Sequence, residues 1–118
     1  MAEVEERVRH YYPTVDSGDA EAVAALFAED AVYARPGYQP LRGRAAILAF
    51  YTGDRVIAEG RHTVDRVLVA GGRAAVQGRF DGVLKDGSEV AVEFADFFDV
   101  DDAGAFTERT TYFYAPLV

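Results

Sequence analysis

The chain has no cysteine and no tryptophan among its 118 residues, and Lys85 is its only lysine. Without cysteine there is no disulfide framework, no thiolate nucleophile and no cysteine metal site. Histidine is scarce too: His10 and His62 stand far apart with no ligand spacing, so no metal site is expected and no cofactor is predicted. Basic residues are outnumbered, with 12 Lys and Arg against 20 Asp and Glu, a formal net charge of −8. That balance argues against nucleic acid and anionic membrane as partners, since both select basic surfaces. No apolar run approaches the ~20 residues of a membrane span. The first twenty residues carry acids throughout, which predicts no secretory signal and a cytoplasmic protein. The turns Gly71-Gly72 and Asp86-Gly87 open no helix, so neither is a phosphate loop.

What is present suits one domain spanning residues 1–118, since half the residues are apolar and no repeat or linker interrupts the chain. Residues 3–17 read as an amphipathic helix, with Val4, Val8, Tyr11, Tyr12 and Val15 at helical spacing and Pro13 inside it. Gly18 is a C-terminal cap and Asp19 the N-cap of a second helix over 20–29. Residues 31–35 read as a short strand, 39–43 as a loop and 44–51 as a third helix. From residue 61 the period becomes two, giving strands over 61–70, 73–84, 88–100 and 105–115 joined by glycine-containing turns. Helices followed by a meander of strands predict an α+β fold with a curved, mostly antiparallel sheet and the three helices in its concave face. Val90–Val100 is apolar on both faces, so both are expected to be covered, the outer one by a second copy of the chain.

In Val76–Leu84, Arg79 and Asp81 lie two apart and share a strand face. If that face is interior, an ion pair has been taken out of water at a cost of several kcal/mol.

The order of elements resembles the nuclear transport factor 2-like superfamily, with its SnoaL-like and ketosteroid-isomerase-like members. The matching stretches are Tyr11 to Asp19 (YYPTVDSGD), Leu26 to Val32 (LFAEDAV), Leu41 to Ile47 (LRGRAAI) with Phe50-Tyr51, and the strand meander. The resemblance implies a helix-capped cone but no single activity, because isomerases, cyclases, hydrolases and non-enzymes share the fold. At the position of the ketosteroid isomerase base stands Arg35, which cannot act as a base near neutral pH, so a typical ketosteroid isomerase is not expected. Tyr11 and Glu93 match that family's two oxyanion-hole residues. Arg79 and Asp81 match the Arg-x-Asp pair of limonene-type epoxide hydrolases, whose last-strand acid is replaced here by Thr111.

By alternation from Arg79 and Asp81, the concavity is expected to receive Gln77, Arg79, Asp81, Glu93, Ala95, Phe97, Arg109, Thr111 and Phe113, with His62 from the first long strand. Tyr11, Tyr33, Arg35 and Tyr51 reach it from the helical side. The expected function is binding of a small apolar or polyketide-like molecule, with cofactor-free acid–base chemistry if it is an enzyme. Asp81 would then be the base, Arg79 its orienting partner, and Tyr11, Glu93 and His62 the proton donors. The rival reading is a non-catalytic ligand carrier or assembly module, with Arg79 and Asp81 in an ordinary cross-strand ion-pair ladder.

Overall fold

Helix α1 (Val4–Asp16) follows its apolar spacing: Val4, Val8, Tyr11, Tyr12 and Val15 are all buried. Pro13 is accommodated in the last turn, where its carbonyl accepts the Ser17 N–H at 3.0 Å. Gly18, at φ +80°, closes the helix by donating to the Val15 carbonyl at 3.1 Å. Asp19 caps α2 (Ala20–Ala24) by accepting from the Ala22 N–H at 3.1 Å. The computed structural model describes residues 3–54 and 57–115.

Helix α2 is shorter than its spacing predicts. Phe27, expected in the helix, opens strand β1 (Phe27–Ala34), because the Leu26 carbonyl is taken by the Phe106 N–H at 2.9 Å. A tertiary pairing therefore overrides local helix preference. Strand β2 (Leu41–Arg42), expected as loop, pairs antiparallel with β1. Helix α3 (Arg44–Ala49) runs into a π-helical turn, Phe50–Asp54.

The meander comprises β3 (Ile57–Ala70), β4 (Arg73–Leu84), β5 (Glu89–Val100) and β6 (Phe106–Phe113). Strand order is β2-β1-β6-β5-β4-β3, with β1 and β6 parallel and every other pair antiparallel. Three helices on a curved, mostly antiparallel six-stranded sheet make the expected α+β cone. Helix α1 packs against β3 and β4, and α3 against β1. Among the described residues no helix is long and apolar enough to cross a membrane.

Two bulges set which side chains enter the cone. Val64 faces Gly78 and Arg66 faces Gln77, so Asp65 is the extra residue on β3. On β6, Thr107 is extra: Phe106 lies opposite Val100 and Glu108 opposite Asp99. That shift lets Phe106, Arg109 and Thr111 all be buried on the inner face. Glycine makes further room. A side chain at Gly60 or Gly82 would strike the ring of Phe80, and one at Gly78 would strike Phe94. The rings of Phe80 and Phe94 therefore lie flat along the inner wall, where both touch the imidazole of His62.

Candidate functional site

Inside the cone is a buried charged cluster. On β5 the inward residues are Val90, Val92, Phe94, Asp96, Phe98 and Val100, so Asp96 stands alone as an acid on an otherwise apolar row. It is 0% exposed and Arg109 is 4% exposed, and they pair at 2.9 Å through Arg109 Nη2 and Asp96 Oδ2. The Tyr12 hydroxyl donates to the same oxygen at 2.6 Å, and the Thr111 hydroxyl donates to Oδ1. Three donors thus hold one carboxylate. Arg109 Nη1 donates to the Tyr11 hydroxyl at 2.7 Å and the Tyr51 hydroxyl at 3.3 Å, and those two hydroxyls bond each other. The Arg109 guanidinium lies between the rings of Tyr33 (4.4 Å) and Tyr11 (4.6 Å). Burial opposes its charge, but Asp96 and the surrounding phenols outweigh burial and keep it firmly protonated. Burial also pushes the Tyr11 and Tyr12 phenols well up, which keeps both hydroxyls protonated.

Toward the end of β1, Tyr33 and Arg35 extend this cluster. Arg35 Nη1 donates to the Tyr33 hydroxyl at 3.2 Å, and Thr111 also approaches that hydroxyl at 3.4 Å. Burial raises the Tyr33 phenol, yet Arg109 and Arg35 together bring it below its ordinary value. His62 completes the wall from β3. Its Nδ1 meets Asp16 Oδ1 at 2.6 Å and its backbone N–H donates to Asp16 Oδ2 at 2.8 Å, so the last residue of α1 fixes the imidazole. Tyr11, Tyr33, Arg35, Tyr51, His62 and Arg109 share one cavity. It is narrow: about 20 Å³ admits a water-sized sphere, within about 380 Å³ between the lining atoms and at the mouth. Aromatic rings fill most of the cone that a larger apolar ligand would need.

Hydroxyls and guanidiniums line this space rather than clustered metal-ligating groups. No group of three His, Asp or Glu side chains able to hold a metal occurs among the described residues.

A family model of SnoaL-like domains matches residues 8–109. The chain belongs to the SnoaL-like domain family. No curated protein matches it. Solved structures share its fold. A hypothetical protein of ketosteroid isomerase-like fold from Catenulispora acidiphila, in complex with trimethylamine, gives a TM-score of 0.82 at 20% identity, over 93% of this chain and 86% of its own. The epoxide hydrolase/cyclase-like enzyme SalBIII, which has a role in pyran ring formation in the polyether salinomycin, gives 0.82 at 21% identity, over 92% and 88%. An NTF2-like protein of unknown function from Burkholderia pseudomallei gives 0.84 at 21% identity, over 96% and 92%. At these identities the likeness is one of fold.

The SnoaL-like domain corrects the expected strand phase. Arg79, Asp81, Gln77, Glu93 and Phe97 are exposed, and with half-buried Ala95 they lie on the row opposite the buried one, on the convex face. Glu93 does share a face with Arg79, which it lies opposite, but the face is the outer one. The physical reason is the apolar content of the other row: Ala74, Val76, Gly78 and Phe80 are buried, and burying both rows at once is impossible. Arg79 instead holds the bulge residue Asp65 through Nε and Nη2, both at 3.2 Å. His62 does not approach Asp81 or Glu93; its acid is Asp16. Of the expected site residues, Tyr11, Tyr33, Arg35, Tyr51, His62, Arg109, Thr111 and Phe113 line the SnoaL-like cavity.

Three residues of the SnoaL-like site escaped the sequence reading. Asp96 was detectable as the one acid in the apolar row of β5. Tyr12 was visible only as a core aromatic, and Asp16 as a polar residue at a helix end. Neither carries a local signal of its partner, which lies 84 residues away for Tyr12 and 46 for Asp16.

Proposed function

We propose that this SnoaL-like domain binds a small molecule in the cone and moves a proton on it without a cofactor. The observation that carries the reading is His62: its Nδ1 is held by Asp16, which leaves Nε2 as the working nitrogen of a ring that lines the cavity with Tyr11, Arg109 and Tyr33. A base oriented by a carboxylate and facing hydrogen-bond donors is the constellation required to take a proton beside a carbonyl. In this scheme Nε2 accepts the proton, Asp16 fixes the tautomer, and the Tyr11 hydroxyl with the Arg109 guanidinium receives the negative charge developing on oxygen. Returning the proton to another carbon of the enolate gives isomerisation. On a conjugated carbonyl compound, Nε2 would instead take the proton of a substrate hydroxyl as its oxygen adds to the β-carbon. The C=C π pair then moves to the α-carbon and the proton is delivered there, which closes a ring. SalBIII, with the same fold, acts in ring formation, which supports this class of chemistry. Trimethylamine, bound by another neighbour, is a poor guide to the ligand here, since its protonated form would meet two guanidiniums. The acid-rich, cysteine-free chain suits the cytoplasm.

Deuterium exchange at the carbon beside the carbonyl of small ketones and keto acids, followed by proton NMR, tests the scheme. The wild type should accelerate exchange, His62→Ala should lose about 100-fold or more, and Asp16→Asn a smaller factor. Unchanged exchange in His62→Ala sinks the assignment and leaves His62 as a tie between α1 and β3.

We also propose that the convex face meets a second copy of the chain. Phe97 (51% exposed) and Tyr112 (56%) stack edge-to-face across β5 and β6, with exposed Leu68 and Tyr114 on the same face. The face mixes Arg73 and Arg79 with Asp65, Asp81, Glu93 and Asp99, so a two-fold related copy presents charges of both signs to itself. Sedimentation should give twice the chain mass, and Phe97→Arg should return it to that of one chain.

A further inference from the structure

We propose that Arg35 is the receptor for a planar two-oxygen anion, a carboxylate carried by the small molecule that the cone binds. The proposal rests on reading the cone as a ligand site but not on the chemistry assigned to His62. Arg35 is 8% exposed and lines the cavity. Its Nη1 donates to the Tyr33 hydroxyl, while Nε and Nη2 are buried with no hydrogen-bond acceptor. No carboxylate among the described residues pairs with it. Its charge is met by the Tyr33 hydroxyl and by aromatic faces, which leaves the Nε/Nη2 edge as the unsatisfied part of a buried cation.

Which atoms are left over matters as much as how many. Nε and Nη2 form one edge of the guanidinium, the edge that grips a carboxylate with two parallel bonds. In this same chain that edge of Arg79 holds Asp65 with two bonds of 3.2 Å. Around Arg35 the rings of Phe50 (5.1 Å), Phe113 (5.3 Å) and Tyr38 (5.5 Å) hold the guanidinium by cation–π contact. The site is thus shaped and charged for a flat anion.

The interior acid cannot serve Arg35 instead. Asp96 is engaged by Arg109, Tyr12 and Thr111. The one buried carboxylate among the described residues is thus taken by Arg109, and among those residues none faces Arg35. The lowered Tyr33 phenol reports the same local excess of positive charge.

The test compares formate and acetate, small enough for the narrow cavity, with their neutral isosteres formamide and acetamide, by calorimetry and thermal melting at fixed ionic strength. In the wild type each carboxylate should bind at least about tenfold more tightly than its amide. Arg35→Met should bring that ratio to about one and melt no lower than the wild type when no ligand is added. Arg35→Lys keeps the charge, loses the two-point edge, and should retain only part of the preference. Arg79→Ala, on the convex face, should keep the full preference. Equal binding of acid and amide by the wild type overturns the anion assignment while leaving the cone as a ligand site. No binding by either class up to about 50 mM, far above an ordinary millimolar constant, overturns both. A preference that survives in Arg35→Met places the anion elsewhere and also refutes the proposal.

Discussion

Replacing Asp96 by Asn tests whether the interior of the cone is organised around one carboxylate. The side chain is fully buried and accepts from three donors, so neutralising it leaves Arg109, itself 4% exposed, as a buried cation without a counter-ion. Breaking a buried pair in this way costs about 3–5 kcal/mol. Against a total stability of about 5–15 kcal/mol for a domain, that is a large fraction. With a urea dependence of about 1–3 kcal/mol per molar, the midpoint of unfolding should fall by more than about 1 M. Circular dichroism during urea titration reads this directly. The double variant Asp96→Leu/Arg109→Met removes both charges and should be more stable than Asp96→Asn, with a coupling above about 2 kcal/mol in the full cycle. Should Asp96→Asn lie within about 1 kcal/mol of the wild type, or the cycle prove additive, the buried pair is not what holds the interior.

The tyrosines give a pH signature. Burial favours the neutral phenols of Tyr11 and Tyr12, whereas Arg109 and Arg35 overcome burial at Tyr33 and lower it. Tyr33 therefore adds stability that is complete above the unfolded phenol value, about 10, and is lost as pH falls through its lower folded value. Tyr11 and Tyr12 do the opposite, their contribution being complete below about 10 and lost as pH rises toward their folded values. Absorbance at 295 nm should show one tyrosine ionising early, absent in Tyr33→Phe and moved to higher pH by acetate but not by acetamide. On the convex face, Arg79→Ala and Asp81→Asn should each change stability by less than about 1 kcal/mol in urea, because the Arg79–Asp65 pair is half exposed. Either should leave acetate binding unchanged; a loss of binding would return these residues to the site. Gly82→Ala should destabilise by about 1–3 kcal/mol and shift the His62 imidazole resonances, because the new methyl would meet the Glu59 carbonyl and the Phe80 ring, each at 2.5 Å. An unchanged His62 spectrum would mean that Phe80 does not set the imidazole position.

Much of the fold was legible because the meander advertises itself locally. Asp86-Gly87 and Gly71-Gly72 mark hairpins whose strands, 73–84 above all, match those observed. The start of β1 was not legible, because Phe27 is drawn from a helix by pairing with β6 at the far end of the chain. The site was half legible, and its error came from one choice of phase. Arg79 and Asp81 were placed inside for the sake of their charge and family resemblance. Yet Ala74, Val76, Gly78 and Phe80 offered the opposite row to the core, and an apolar row outweighs a charged one in deciding what is buried. The same rule, applied to β5, singles out Asp96. On β6 alternation alone fails across Thr107, since a bulge leaves no periodic trace in eight residues.

The parallel pairing of β1 with β6 also dictates when the site comes into being. Tyr33 and Arg35 arrive near the end of β1, while Arg109 and Thr111 arrive on β6, and their strands meet only through contacts such as Tyr33 beside Arg109. Hairpins β3–β4 and β4–β5 close short loops and can form as soon as they are made, whereas β1–β6 closes most of the chain. During synthesis the two arginines of the cone therefore stay apart until the last strand is available. A chain cut short before β6 would lack Arg109 and Thr111 and could not assemble the candidate site.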